Sequence, residues 1–77
     1  MRELVEFLAR ELVDDPDAVS VTESNDQRGV LLTVRVAPDD MGKVIGRGGR
    51  TARSIRAVVK AAAVRADLGH VHVEIAD

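Results

Sequence analysis

Three of the six glycines in this 77-residue chain fall within four positions, in the segment Gly46-Arg47-Gly48-Gly49. Glycine permits positive φ angles and, because it has no Cβ, it lets a foreign backbone approach closely. Arg47 and Arg50 flank the glycines, and the sequence that follows them predicts a long helix. Free N–H groups at the start of such a helix favour a bound phosphate. These residue types at this spacing predict a phosphate-binding loop between two helices.

Basic residues are concentrated around this loop. Residues 1–40 carry four basic and ten acidic groups, whereas residues 41–66 carry seven basic groups and no acidic one. Surface helices usually interleave both signs, so a long stretch of one sign is typical of an anion-binding surface. Lys43 lies one turn before Gly46 and is expected on the opposite wall of the phosphate site. Further basic residues follow at helical spacing and extend the positive surface away from the loop: Arg50, Arg53, Arg56 and Lys60.

The elements that position the loop follow from hydrophobic periodicity and from turn residues. Apolar faces predict helices over residues 2–14, 39–46 and 50–66, and alternating patterns predict strands over residues 19–22, 30–36 and 70–75. Turn-forming residues 25–29 join the first two strands into an antiparallel hairpin. A two-helix crossover precedes the third strand and can place it parallel to its neighbour. The prediction is an α+β domain of order αββααβ, with a three-stranded mixed sheet and three helices on one face.

The glycine cluster has a simpler interpretation, which is a tight turn between two helices. Glycine is common in turns of every kind. A helix–helix turn rarely needs three glycines in four positions, and the basic flanks are not explained by a turn. Dinucleotide-binding and P-loop motifs do not match, because Thr51 stands where a third glycine is needed and no Gly-Lys-Ser/Thr follows. The phosphate-binding interpretation is therefore favoured.

Composition disfavours several classes of protein. The chain has no cysteine, so neither a disulfide nor a cysteine-based metal site is expected. No apolar run approaches the roughly 20 residues of a membrane span, and the acidic N-terminal segment does not resemble a targeting sequence. We therefore expect a cytoplasmic protein that does not bind a membrane. No activated nucleophile or acid–base pair is visible, so no enzymatic activity, cofactor or small-molecule substrate is expected.

Two further residue types bear on the choice of binding module. Phe7 is the single aromatic residue, and RNA-binding modules that stack bases on aromatic rings are therefore disfavoured. His70 and His72 share one face of the third predicted strand, and they could form half of a metal site. A zinc site needs three or four protein ligands, and no third ligand is evident in the sequence. We expect these histidines to be exposed polar residues and expect no bound metal.

The segment Val44-Ile45-Gly46-Arg47-Gly48-Gly49-Arg50, followed by Ile55-Arg56, resembles the VIGxxGxxxxxIR core of a KH domain. The predicted order αββααβ is similar to that of the type II, bacterial form. From end to end, the chain resembles the KhpA family of small stand-alone bacterial KH proteins, so residues 1–77 are interpreted as a single KH domain. This resemblance implies a fold and a function that the residue patterns alone do not specify.

The resemblance implies that the loop clamps the backbone of about four unpaired nucleotides of RNA. Gly46 and Gly49 would be the motif glycines, and Arg47 and Gly48 the variable pair. Family members often have a polar or basic residue where this chain has Gly48, so one side-chain contact is missing. The predicted RNA-binding residues are Lys43, Ile45, Gly46, Arg47, Gly48, Gly49, Arg50, Arg53 and Arg56. The aliphatic floor of the groove is expected to draw on some of Val44, Ile45, Ile55, Leu32 and Val34, whereas most of these residues are expected in the core.

The resemblance also implies a cellular role and partners. It predicts a non-catalytic RNA chaperone or post-transcriptional regulator that binds single-stranded RNA and is linked to cell shape and envelope growth. Its expected protein partner is KhpB, a larger protein that carries a KH domain, and a homodimer is plausible because a single KH domain holds few nucleotides. The alternatives are a protein–protein docking or dimerisation module and a ribosome-associated assembly factor.

Overall fold

The computed structural model describes residues 1–76, in which the helices and strands follow one another in the predicted order. The helices are α1 (Arg2–Leu12), α2 (Met41–Ile45) and α3 (Arg50–Arg65), and the strands are β1 (Ser20–Asp26), β2 (Gly29–Arg35) and β3 (Val71–Ala76). Single turns of 3-10 helix lie at Pro16–Ala18, Pro38–Asp40 and Arg47–Gly49. The order αββααβ is confirmed. Asp77, the last residue of the predicted domain, lies outside the described residues.

The three strands of residues 1–76 form one mixed sheet with β2 at its centre. β1 pairs with β2 in an antiparallel arrangement, and β3 pairs with β2 in a parallel one. In the middle of the sheet, Leu32 of β2 lies opposite Glu23 of β1 and Val73 of β3. Because the crossover from β2 to β3 contains α2 and α3, the glycine loop lies within the connection that makes the parallel pair.

The apolar core lies between the sheet and the helices. Leu32 and Val34 alternate along β2 and are fully buried, and each helix adds one fully buried valine: Val5, Val44 and Val59. Burying a side chain of this size contributes on the order of 1.5–3 kcal/mol. Since all three helices close over the same face of β2, the predicted layering of three helices on one face of the sheet is confirmed. No helix of residues 1–76 is long and apolar enough to cross a membrane.

The first helix is shorter than predicted. α1 ends at Leu12 rather than at residue 14, and Val13 has an extended backbone. Asp14 and Asp15 donate their backbone N–H groups to the carboxylate of Asp40, at 3.2 and 3.1 Å, instead of to helical carbonyl groups. A contact between residues so far apart in the sequence ended the helix, and helical periodicity alone could not indicate it.

The hairpin is longer than predicted. Asn25 and Asp26 were expected in the turn, but they extend β1 and pair with Val30 and Gly29. The turn consists of residues 27 and 28, and Asp26 Oδ1 accepts the backbone N–H of Arg28 at 2.7 Å. The position of the turn was predicted correctly at residues 27 and 28, whereas the pairing of their neighbours depended on the register with β2. The remaining boundaries differ from the prediction by one or two residues.

Candidate nucleic-acid interface

The glycine loop joins α2 to α3 through a single tight turn. Gly46 ends α2 with φ 78° and ψ 168°, and the Gly49 N–H donates to the Gly46 carbonyl oxygen at 3.1 Å. Gly46, Gly48 and Gly49 all have positive φ angles, of 78°, 62° and 78°. Residues with a Cβ adopt such angles only at a cost in energy, so the backbone shape of the loop explains why three glycines occur in it.

The loop glycines face two different environments. A Cβ at position 46 would lie 2.8 Å from both Cβ and the backbone nitrogen of Thr51, in the first turn of α3. A Cβ at Gly48 or Gly49 would meet no atom of the described chain within 4 Å. The missing side chain of Gly46 therefore lets the loop pack against α3, whereas the exposed Gly48 and the half-buried Gly49 leave open space in which another chain can approach the backbone.

Basic side chains extend from this loop along α3. Arg47 is exposed, and so are the four basic residues that follow it at helical spacing: Arg50, Arg53, Arg56 and Lys60. None of them forms an ion pair with an acid of residues 1–76. The helix rises about 15 Å from Arg50 to Lys60, and its N-terminal dipole adds positive potential at the loop. The structure thus places the predicted arginines on one continuous positive surface.

Lys43 differs from the other predicted site residues. Its Nζ lies 3.0 Å from Asp14 Oδ2 and 3.5 Å from Oδ1 of the buried Asp40. The hydrogen bond and the charge of Asp14 raise the pKa of Lys43, and Asp40 adds to this effect. A contact of Lys43 with RNA stays a prediction, but its ammonium group already has two carboxylate partners near the end of α1. The sequence did not reveal the pairing with Asp14, because Asp14 is distant along the chain.

A groove of about 540 Å³ lies between α3 and β3. Arg56 and Lys60 line it from the helix, and Val71, His72 and Val73 line it from the strand. The Arg56 Nε donates to the Val73 carbonyl oxygen at 3.2 Å and so links the two sides. Small-ligand sites span roughly 300–1,000 Å³, so the groove is large enough for a nucleotide or a compound of similar size.

The backbone of β3 contributes hydrogen-bonding groups to this groove. The Val30 N–H donates to the His70 carbonyl oxygen at 2.9 Å, which shows that position 70 faces β2. Along a parallel strand the residues between such positions turn their N–H and C=O groups the other way. The Val73 carbonyl has this outward orientation, since it is bound by Arg56. The outer edge of β3 therefore presents donors and acceptors to a molecule in the groove.

Most of the residues considered for the aliphatic floor of the groove are buried in the core, as expected from the sequence: Leu32, Val34, Val44 and Ile55. Ile45, next to the loop, remains 36% exposed. The apolar side chains that line the α3–β3 groove are those of Ala63, Val64, Val71 and Val73. Their apolar character was visible in the sequence, but which apolar residues stay accessible depends on how α3 packs on β3.

Comparison with known families agrees with this geometry. The family model for the KH domain of KhpA and KhpB matches residues 2–75, which include the glycine loop and nearly all of β3. This chain belongs to the KhpA/KhpB KH-domain family. The type II KH fold inferred from the sequence is thus confirmed. The loop Gly46–Gly49 lies between the two crossover helices α2 and α3, and its assignment as the glycine motif of the KH domain stays a prediction.

Curated relatives of this KH domain cover most of the chain. The "RNA-binding protein KhpA" of Clostridium acetobutylicum is 52% identical over 65 residues, which are 84% of this chain and 87% of that protein. The protein of the same name from Streptomyces coelicolor is 54% identical over 71 residues, 88% of this chain and 90% of that protein. These relatives confirm the resemblance to the KhpA family. They also confirm the prediction that this KH domain is not an enzyme.

Proposed function

We propose that this KH domain binds single-stranded RNA through the Gly46–Gly49 loop and the α3–β3 groove. The observation that carries the proposal is the open space beside the backbone of Gly48 and Gly49, at the point where the basic surface of α3 begins. From there this surface leads towards the groove. The names of the KhpA relatives support the same ligand. Since no reaction is expected, the function is recognition alone.

The two parts of the interface have different tasks. Phosphates contact the N–H groups at the start of α3 and the guanidinium groups of Arg47, Arg50 and Arg53, because these donors are charged or lie at the positive end of the helix dipole. Phosphate contacts position the strand but carry no sequence information. Bases turn into the groove, where they meet aliphatic side chains and the outer edge of β3. Specificity therefore depends on few hydrogen bonds, and we expect a weak sequence preference.

Salt dependence of binding tests this proposal. Three phosphate contacts to a single strand predict a slope of about −2 in a plot of log K against log salt, and hence a roughly 20-fold loss of affinity between 50 and 200 mM salt. A fluorescence-anisotropy titration with oligouridine measures this slope. If no RNA binds at low salt, the proposal fails. The alternative of a docking module, with the basic surface of α3 meeting an acidic protein, would then be preferred.

The cellular role follows from the same activity. We propose that the protein acts in the cytoplasm as an RNA chaperone or post-transcriptional regulator, together with a larger KhpB-type partner. Weak sequence preference supports such a role, because it allows one domain to bind many transcripts. A link to cell shape and envelope growth would then arise through the bound RNAs. Crosslinking RNA to the protein in cells, followed by sequencing, distinguishes this role from ribosome assembly, for which ribosomal RNA would dominate.

An apolar surface between α1 and α3 supports association with a second KH domain. Phe7 is 61% exposed and Val58 is 46% exposed, and together with Leu12 they border a hollow of about 260 Å³. Such a surface on a small chain is typical of an interaction site. We propose that it docks another copy of this chain or the KH domain of the KhpB-type partner. Two linked domains would hold a longer stretch of RNA and gain affinity through avidity.

Light scattering after size-exclusion chromatography tests this association. Val58→Lys should shift a dimer to the monomer, because a charge would be buried at the interface. Val64→Lys is the matched control, since Val64 is an exposed valine of the same helix and does not line this hollow. A monomeric wild-type protein that also fails to bind the partner would contradict the proposed docking.

A further inference from the structure

His70 and His72 form a pair of nearly parallel rings at the start of β3. Their ring centroids lie 6.2 Å apart and their planes are inclined by 15°. Residues two apart on an extended chain point to the same side and are separated by about 6.6 Å, so the backbone itself spaces the rings. Both residues are exposed, and neither forms an ion pair with a residue of the described chain. Planar ring faces are thus accessible to a ligand.

The histidine pair lines the same groove as Arg56 and Lys60. Arg56 and Lys60 belong to the helix side of the groove, and His70 and His72 belong to its strand side. Because Val71 and Val73 turn towards the core, the rings of the alternating histidines project from the opposite face of β3, beside the groove. His72 also borders a hollow with Arg28 and with Leu31, its neighbour on β2, so it lies where the rim of the groove meets the open face of the sheet. A nucleotide strand that follows the cations of α3 with its phosphates can direct its bases towards β3, where these rings are.

We propose that the His70–His72 pair stacks a nucleobase of the bound RNA, an inference that rests on the proposed RNA binding. Single-stranded nucleic acids bind where a positive groove is combined with planar rings on which bases stack. Phe7 is the one residue of the Phe, Tyr and Trp type, and it lines the separate hollow between α1 and α3. The imidazoles are therefore the planar rings available at the rim of the groove.

A metal ion is a weaker candidate for this pair. Zinc sites in proteins use three or four side-chain ligands. Within residues 1–76, no group of three or more His, Cys, Asp or Glu residues is placed to hold a metal ion. Stacking, by contrast, requires accessible ring faces beside a path for phosphates, and both are present. The ligand is therefore assigned as a base of single-stranded RNA.

The test compares wild type with the variant H70A/H72A in anisotropy titrations against two ligands. One is oligoadenylate, whose purines stack well, and the other is an abasic oligomer with the same phosphates. We expect the variant to bind oligoadenylate about five- to tenfold more weakly, towards the lower end of what one lost stacking contact costs. Binding of the abasic oligomer and the salt slope should not change, because no phosphate contact is removed.

The variant H70F/H72F is the conservative control, because phenylalanine keeps a planar ring and removes the polar nitrogens. It should restore the affinity for oligoadenylate. Equal affinity of wild type and H70A/H72A for oligoadenylate would overturn the inference. So would an equal loss for the abasic oligomer, since the histidines would then contact the backbone. If wild type binds neither ligand, the proposed RNA binding itself fails, and this outcome differs from the other two.

Discussion

The side chain of Thr51 packs against the α-carbon of Gly46, where it leaves no room for a Cβ. Thr51 lies in the first turn of α3, next to the buried Ala52 and one turn before the buried Ile55. Because these neighbours hold the helix in the core, Thr51 has little freedom to move away. The shape of the glycine loop is therefore set by the packing of α3 beneath it.

Gly46→Ala should destabilise the domain. The new methyl group meets Thr51, and alanine is strained at φ 78°. Overpacking and the left-handed backbone together predict a loss of about 1–3 kcal/mol in the free energy of unfolding, measured by urea denaturation. Gly42→Ala is the matched control, because position 42 is helical and open to solvent. It should be neutral or stabilising by up to about 1 kcal/mol, and equal losses in both variants would contradict the steric role of Gly46.

The double variant R47D/G48D should abolish RNA binding without unfolding the domain. Arg47 is exposed, and a Cβ at position 48 meets no atom within 4 Å. Aspartate also tolerates the left-handed conformation better than most residues. Two negative charges would then face the phosphates that the loop is proposed to hold. Gel-shift titration measures the affinity, and circular dichroism measures the fold. R47Q/G48N supplies a control with similar backbone strain and no negative charge, and it should retain measurable binding.

Gly48→Lys should strengthen RNA binding. A Cβ at this position meets nothing within 4 Å of the described chain, so the side chain can reach a phosphate. One added phosphate contact steepens the salt slope by about 0.7 and should raise the affinity several-fold at low salt. The left-handed backbone at φ 62° costs roughly 1–2 kcal/mol of stability. Gly48→Gln has the same backbone cost without the charge, and a similar gain in that variant would argue against a phosphate contact.

Arg53→Glu should weaken binding to all RNA sequences alike. Arg53 is exposed on α3, between the loop and the groove, where phosphates are expected to pass. Loss of a phosphate contact lowers affinity uniformly, by roughly tenfold with charge reversal, and reduces the salt slope. Arg65→Glu changes the net charge by the same amount at the far end of the helix and should have a smaller effect. A changed preference among homopolymers would instead mean that Arg53 contacts bases.

The buried carboxylate of Asp40 makes the stability of the folded domain depend on pH. Its side chain is buried, with 2% of its surface exposed, and accepts N–H groups from Asp14 and Asp15. Burial raises the pKa of Asp40, but these hydrogen bonds and the ammonium of Lys43 outweigh it, so the pKa lies below its ordinary value of 3.8. The stabilisation by Asp40 is then fully present above the ordinary value and is lost as the pH falls through the lowered one.

Asp40→Asn should lower the Tm at neutral pH and make the Tm less sensitive to acid than that of the wild type. Asparagine cannot present a charged acceptor to both N–H groups and to Lys43. Thermal unfolding followed by circular dichroism, at neutral pH and below about pH 4, measures both effects. Asp39→Asn is the control, because Asp39 is its exposed neighbour. The same Tm change in both variants would show that the buried carboxylate has no special role.

The fold was largely predictable because its signals are local. The period of the apolar residues distinguished helix from strand along most of the chain, and the turn residues separated the elements. The predicted ends of elements were wrong where the residues that fix them are distant in the sequence. Asp40 shortened α1 by capturing the N–H groups of Asp14 and Asp15, and the register with β2 carried β1 through Asp26. Neither contact can be inferred from a single stretch of sequence.

The sequence by itself determined the glycine loop and the basic surface of α3, since the backbone freedom of glycine and the spacing of Arg50, Arg53 and Arg56 along a helix are local properties. Tertiary structure decided what surrounds them. It paired Lys43 with Asp14 and Asp40, decided which apolar residues stay accessible, and opened the groove between α3 and β3. The physical reason is that these features depend on contacts between elements, and such contacts are settled only when α1, α3 and β3 pack around one core.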